Sequence, residues 1–195
     1  IIDAGPDFRY QMLRSQVKDL RAILLTHGHK DHIGGLDDVR AFNWVKQGAV
    51  DVYGNEGTRE VVYKDFSYAF AAFRYPGVPE INYHVIDDRP FYIDDIQVVP
   101  IPVLHYKMPV LGFRIGNFAY ITDAKTIPAS SMERLKGVEY LVINALRKEL
   151  HMSHFNLEEA LTMIARIQPK SAFLTHIGHQ MGLSAEGSKE FENRS

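Results

Sequence analysis

No cysteine occurs in the 195 residues, which excludes disulfides and any thiolate metal site built from this segment alone. No apolar run approaches the roughly 18–20 residues that a membrane helix needs. The opening IIDAGPDFRY also lacks the basic and apolar regions of a signal peptide. These lacks lead us to expect a cytoplasmic chain with no membrane partner. Neither sign of charge dominates: 22 Lys and Arg stand against 24 Asp and Glu, a formal net charge of -2, so no global field draws in nucleic acid. A small anionic substrate would have to be held by metals and a few local cations. No repeat, low-complexity tract or Pro/Gly/Ser-rich linker divides the chain, and at this length a single domain over 1–195 is expected.

What the chain does have is histidine. All but His84 of its nine histidines fall in four short stretches, at 27–32, 105, 151–154 and 176–179. Scattered copies would mean little; clustering with aspartate points to metal.

Hydrophobic patterning places these stretches. Ile1–Gly5 reads as the end of an apolar strand, and Arg21–Thr26 as a short apolar run entering HGHKDHIGG. Leu36–Val45 has helical spacing, Val50–Tyr53 reads as a strand, and Arg59–Phe73 as an aromatic-rich helix or lid. Strands are expected at 81–86, 96–104, 110–115, 118–122, 138–143 and 172–174, with Gly116-Asn117 as a hairpin turn. Short helices are expected at 130–135 and 157–167, and a frayed or briefly helical tail from Ser184. Hairpins early and in the middle, with strand–helix alternation toward the end, support an α/β or α+β sandwich.

Residues 27–32 have the form H-x-H-x-D-H. His27 and His29 at i and i+2 on an extended turn point the same way and can share one metal. Asp31 and His32 follow at the start of a helix over 33–46 and can turn toward a second ion. Imidazoles with a carboxylate suit Zn, Mn or Fe, and bridging carboxylates hold two ions ~3.5–4 Å apart. His105, Asp123 and His176 each sit at a strand end, where a metal site needs them.

In this order the ligands resemble those of the metallo-β-lactamase superfamily, with matches from Asp3 to about Gly182. The resemblance implies a four-layer αββα sandwich with its site at one sheet edge. It implies two divalent ions, Zn2+ or Mn2+. One would take His27, His29 and His105, the other Asp31, His32 and His176, with Asp123 bridging and Asp3 buttressing the histidine loop. A narrower likeness, to the phosphoribosyl cyclic phosphodiesterase branch, is carried by DAGPDFR at 3–9, H-x-x-H-F at 151–155 before Leu157-Glu158-Glu159-Ala160, and LTHIGH at 174–179. It implies hydrolysis of a small cyclic phosphate or nucleotide-like diester, with His154 supplying the leaving group's proton; Asp31 is carried as a second catalytic candidate.

Two departures accompany the likeness. The strands and glycine turn that precede IIDAG in the superfamily do not stand in 1–195, so N-terminal strands are expected to be missing from this segment. The branch's structural zinc uses cysteines together with the residue matching His179, and no cysteine is present. Other readings use the same ligands: a tRNA 3'-processing endonuclease, which needs a basic exosite, and a thioester or lactone hydrolase. A non-hydrolytic metal scaffold is opposed by His29 and His32. Lys107, Arg9 and Arg147 are candidate phosphate contacts, and His151 could orient His154 or touch substrate. Asp37-Asp38 reads as an acidic helix face, His84 as structural, and the aromatics from Tyr63 to Tyr75 as core or a homodimer face.

Overall fold

The computed structural model describes residues 1–182, and its contacts divide the chain into two units, Ile1–Arg89 and Pro90–Ser195. The first unit holds a three-stranded sheet in the order β1 (Ala22–Leu24), β2 (Val50–Gly54), β3 (Ile81–Val85), all parallel. The terminal segment adds itself beside β1 through a parallel bridge between Ile2 and Leu24. Asp3 N–H donates to the Leu24 carbonyl at 2.8 Å. The hairpins expected early in the chain are therefore absent from this sheet. Parallel neighbours need a crossover, and the long stretches between these strands supply one. Those stretches carry α2 (Lys30–Ile33), a 3₁₀ turn at Leu36–Val39, α3 (Arg40–Lys46), α4 (Glu56–Asp65) and α5 (Ser67–Phe70). The single helix expected from 33 is broken into these pieces at Gly34-Gly35. A further helix, α1 (Phe8–Arg14), was not legible: only Phe8 of its seven residues is buried, so no apolar stripe marks it. Ile23, Leu25, Ile33, Leu36, Val50 and Val52 form the centre of this unit's core.

The second unit holds a six-stranded sheet, β4 (Phe91–Ile93), β5 (Ile96–His105), β6 (Met108–Ile115), β7 (Phe118–Ile121), β8 (Tyr140–Asn144) and β9 (Ser171–Thr175), side by side in chain order. Pairing is antiparallel as far as β7, then parallel through β8 and β9. Gly116 turns the β6–β7 hairpin with φ +58°, where a side chain would be strained. Pro100 and Pro102 sit inside β5, lie beyond its pairing with β4, and point their backbone away from β6. Their carbonyls accept from Arg134 Nη1 (2.7 Å) and the Ser131 hydroxyl, which fastens α6 (Ala129–Arg134) to the strand. Helix α7 (Leu157–Ile167) opens with a capping box between Asn156 and Glu159 and packs on β8. Ile101, Ile121, Leu141 and Ile143 centre the second core. Among the described residues no helix is long and apolar enough to cross a membrane.

Candidate metal centre

In the first unit the site begins where two loops touch. A Cβ on Gly5 would meet the Asp31 carbonyl at 2.4 Å, and one on Gly35 would meet the Gly5 carbonyl at 2.2 Å. Glycine alone permits this approach, and reciprocal bonds seal it: Ala4 N–H to the His32 carbonyl and Gly35 N–H to the Ala4 carbonyl, both 2.8 Å. Asp3, in the left-handed region at φ +58°, thereby faces the histidine loop. Its carboxylate accepts from Thr26 N–H (2.8 Å), Thr26 Oγ1 (2.9 Å) and His32 Nδ1 (2.7 Å).

These bonds decide tautomers. Asp3 can only accept, so His32 carries a proton on Nδ1, and in the neutral ring Nε2 is the unprotonated nitrogen. Thr26 gives its one hydroxyl proton to Asp3 and must accept from His27 Nδ1, 3.0 Å away, which leaves His27 Nε2 unprotonated too. That nitrogen lies 2.9 Å from His29 Nδ1. Two ring nitrogens so close, one of them unprotonated, suit replacement of the shared proton by a metal ion. Asp31, with an exposed carboxylate, stands 3.4 Å from His32 Nε2. The first unit thus brings together His27, His29, Asp31 and His32.

In the second unit the candidates meet where β5, β7, β8 and β9 end. His105 closes β5, and Leu104 exchanges backbone bonds with Lys125 and Thr126, tying that strand end to the loop after Asp123. Asn144, fully buried at the end of β8, grips Ala124 from both sides, accepting from its N–H (2.8 Å) and donating to its carbonyl (3.1 Å). Asp123 and His176 follow β7 and β9 with φ +56° and +52°, a region that side chains seldom occupy and that collects at functional sites. Asp123 is 1% exposed, and its Oδ1 lies 3.1 Å from His176 Nε2.

His105 Nδ1 donates to the Ser153 carbonyl at 2.9 Å, so its Nε2 is the unprotonated nitrogen. His105, Asp123 and His154 each offer an atom within 4.8 Å of the others. The His154 ring lies 4.5 Å from His105 and 4.8 Å, stacked, from His176. Burial pushes the His154 imidazole down to about 4; Asp123 opposes this, while His176, His105 and His151 add to it. His154 is therefore neutral at pH 7 in the protein without ligand. The His151 imidazole is also lowered, by burial and then by the Arg147 charge.

A β-lactamase superfamily model matches residues 1–177. The chain belongs to the β-lactamase superfamily. Within this superfamily the chain is 34% identical to a crystal structure described as a new diphosphatase of the PhnP family, with a TM-score of 0.87 over 96% of this chain and 72% of that one. It is 38% identical over 188 residues to a protein of Porphyromonas gingivalis named octanoyltransferase, covering 95% of this chain. It is 30% identical over 121 residues, 60% of the chain, to a ribonuclease Z of Nostoc punctiforme. The chain spans only 38% and 37% of the length of these two curated relatives. A metallo-β-lactamase-fold hydrolase of the PhnP branch is what this superfamily member resembles in both sequence and fold.

All seven sequence-inferred ligands lie in one of the two clusters, and Asp3 takes the buttressing place. Thr26, Ser153 and Asn144 went unremarked in sequence. Thr26 looks like one more β-branched residue, whereas Asn144, a polar residue closing an apolar strand, is the kind of signal that could have been read. His84 is held by Asp51 (2.8 Å) and stacks on Tyr53, which fits a structural role. Asp37 accepts from Arg40 and Tyr68, so the acidic helix face is partly used. Of the aromatic stretch, Phe66 is buried and Tyr63 stacks on Phe70, while Phe73 and Tyr75 are exposed. Lys107 lies over the Tyr106 ring, Arg9 is exposed, and His179 is exposed in a 3₁₀ turn. The tail from Ser184 lies outside the described residues.

Proposed function

We propose that this chain is the catalytic part of a dinuclear-metal hydrolase that cleaves a phosphodiester bond in a small cyclic phosphate or nucleotide-like substrate. One observation carries the reading. His27, His32 and His105 are each hydrogen-bonded through Nδ1, so that in the neutral ring Nε2 is the nitrogen offered to a divalent ion. One ion would take His27, His29 and His105, the other Asp31, His32 and His176, and Asp123 would serve both. Two divalent ions, when bound, make water nucleophilic near neutral pH and offset charge on phosphoryl oxygens. The choice of phosphorus over carbon is supported by likeness to the PhnP-family diphosphatase.

The chain's own residues supply the rest. Asp3 and the Ser153 carbonyl hold three imidazoles in one tautomer and one orientation, which removes the cost of arranging them during reaction. His154 stands beside the Asp123 cluster to protonate the leaving oxygen. Because it is neutral without ligand, this role needs the substrate's negative charge to raise its basicity, as Asp123 already does in part.

A second reading, hydrolysis of an acyl thioester, is favoured by the match to the protein named octanoyltransferase. The deciding experiment assays a phosphodiester, a nucleotide diphosphate, a phosphomonoester and an octanoyl thioester, with Zn2+ and Mn2+ added separately. Turnover of the phosphodiester well above the monoester and thioester is expected. Thioester turnover alone would overturn the proposal.

A further inference from the structure

The use of His154 as a proton donor depends on how its segment is held against the Asp123 turn. His154 lies on the irregular stretch that leads into α7, and Asp123 opens the turn that leaves β7. A backbone bond joins the two segments: Phe155 N–H donates to the Ala124 carbonyl at 2.8 Å. One hydrogen bond fixes a point but leaves a pivot about it.

A second link stands further along the helix. Lys125 Nζ donates to both oxygens of the Glu159 carboxylate, at 2.6 and 2.8 Å, across 34 residues of chain. Glu159 follows Phe155 by four residues, about one helical turn. Each end of the pair is itself anchored. Lys125 N–H donates to the Leu104 carbonyl (2.7 Å), on the strand that closes with His105. The Glu159 carboxylate also accepts from Asn156 N–H (3.0 Å), completing the capping box.

Both side chains of the pair are partly buried, and an ion pair with this much exposure contributes little to global stability. Nor does the helix need it as a cap, since Asn156 and Glu159 complete the capping box between themselves. What the pair adds is a second point of attachment, which stops the start of α7 from turning about the Phe155–Ala124 bond. His154 sits next to that pivot, its ring stacked on His176 at 4.8 Å and 4.5 Å from His105.

We propose that Lys125 and Glu159 are positioning residues: their ion pair sets the direction of the His154 ring relative to Asp123, and so the line along which the proton reaches the leaving oxygen. This rests on the proton-donor reading of His154 above. A misplacement of about 1 Å at a reacting group can cost about 10²-fold. A leaving group that needs no proton escapes that cost.

The test compares a nucleoside 2',3'-cyclic phosphate, whose leaving group is an alkoxide, with bis(p-nitrophenyl) phosphate. It uses the metal-loaded wild type, Lys125→Met, Lys125→Arg and Glu159→Gln. In Lys125→Met, kcat for the cyclic phosphate should fall about 10–100-fold, while kcat for the p-nitrophenyl ester and both KM values should stay within about threefold. Metal content and the urea midpoint should change little. Lys125→Arg should recover most of the loss, and Glu159→Gln should show the same dependence on leaving group to a smaller extent. Equal losses on both substrates, loss of metal, or no loss on either would overturn the positioning role.

If the wild type turns over neither substrate, it is the phosphodiester reading that fails. The positioning role is then read without turnover, by NMR of the zinc-loaded proteins. Cross-relaxation between the ring protons of His154 and His176 reports their stacking. It should weaken in Lys125→Met and return in Lys125→Arg. Cross-relaxation unchanged in Lys125→Met would overturn the proposal.

Discussion

Asp3 is the residue on which the first half of the ligand set turns, because one carboxylate sets the protonation of both His32 and, through Thr26, His27. Asp3→Ala should weaken metal binding about 10–100-fold, read by competition with a chromophoric chelator, with turnover falling alongside. Unchanged affinity would mean that Asp3 only packs the loop. His154→Ala should behave differently: both metals kept, and turnover of a poor leaving group down about 10²–10⁴-fold. The loss should shrink for p-nitrophenolate, which needs little protonation. Loss of a metal in this variant would make His154 a ligand, an outcome its closeness to His105 and Asp123 leaves open to measurement. At this scale the H-x-H-x-D-H ligands were legible as residue types. Their tautomers were not, since these depend on Asp3, 29 residues away from His32.

Elements deliver these residues by their ends rather than their faces. Asn144 closes β8 and holds Ala124 at both backbone groups, which fixes the strained turn at Asp123. Asn144→Ala would leave the buried Ala124 N–H unpaired, while the Ala124 carbonyl keeps the Phe155 N–H (2.8 Å), and should cost about 1–3 kcal/mol, measured by urea unfolding. Metal affinity at Asp123 should fall with it. Asn156→Ala removes the capping box of α7 and should cost about 1 kcal/mol. Its effect on metal affinity should be small if the helix cap is independent of the Asp123 loop. Most strands were legible because their apolar residues run or alternate, as in β5 and β8. The parallel pairing of β1, β2 and β3 was not, because direction depends on where the intervening helices carry the chain. Strand β4 was missed as well: it has three residues and none is buried.

For the whole molecule, the proposed metal binding would be linked to folding. The unfolded chain scatters the eight histidines and aspartates that the folded units gather, so ions that bind only the folded state stabilise it by mass action. Removing metal with a chelator should lower the melting temperature, and readding Zn2+ or Mn2+ should restore it. At about 100 times the dissociation constant the gain is about 2.7 kcal/mol. A melting temperature indifferent to chelation would argue that these residues hold no tightly bound ion in the folded protein.

The sequence by itself determined the kinds of candidate ligand, their order and their place just after apolar strands, because ligand chemistry belongs to residue type and strand signals are local. It also settled the β-lactamase superfamily, since that order is matched along residues 1–177. Only the tertiary structure decided which ring nitrogen donates a proton in His32 and His105, because that depends on acceptors, Asp3 for His32 and the Ser153 carbonyl for His105, brought in from 29 and 48 residues away. Spacing along a chain limits how far a side chain can reach, but direction and burial come from the packing of segments distant in sequence.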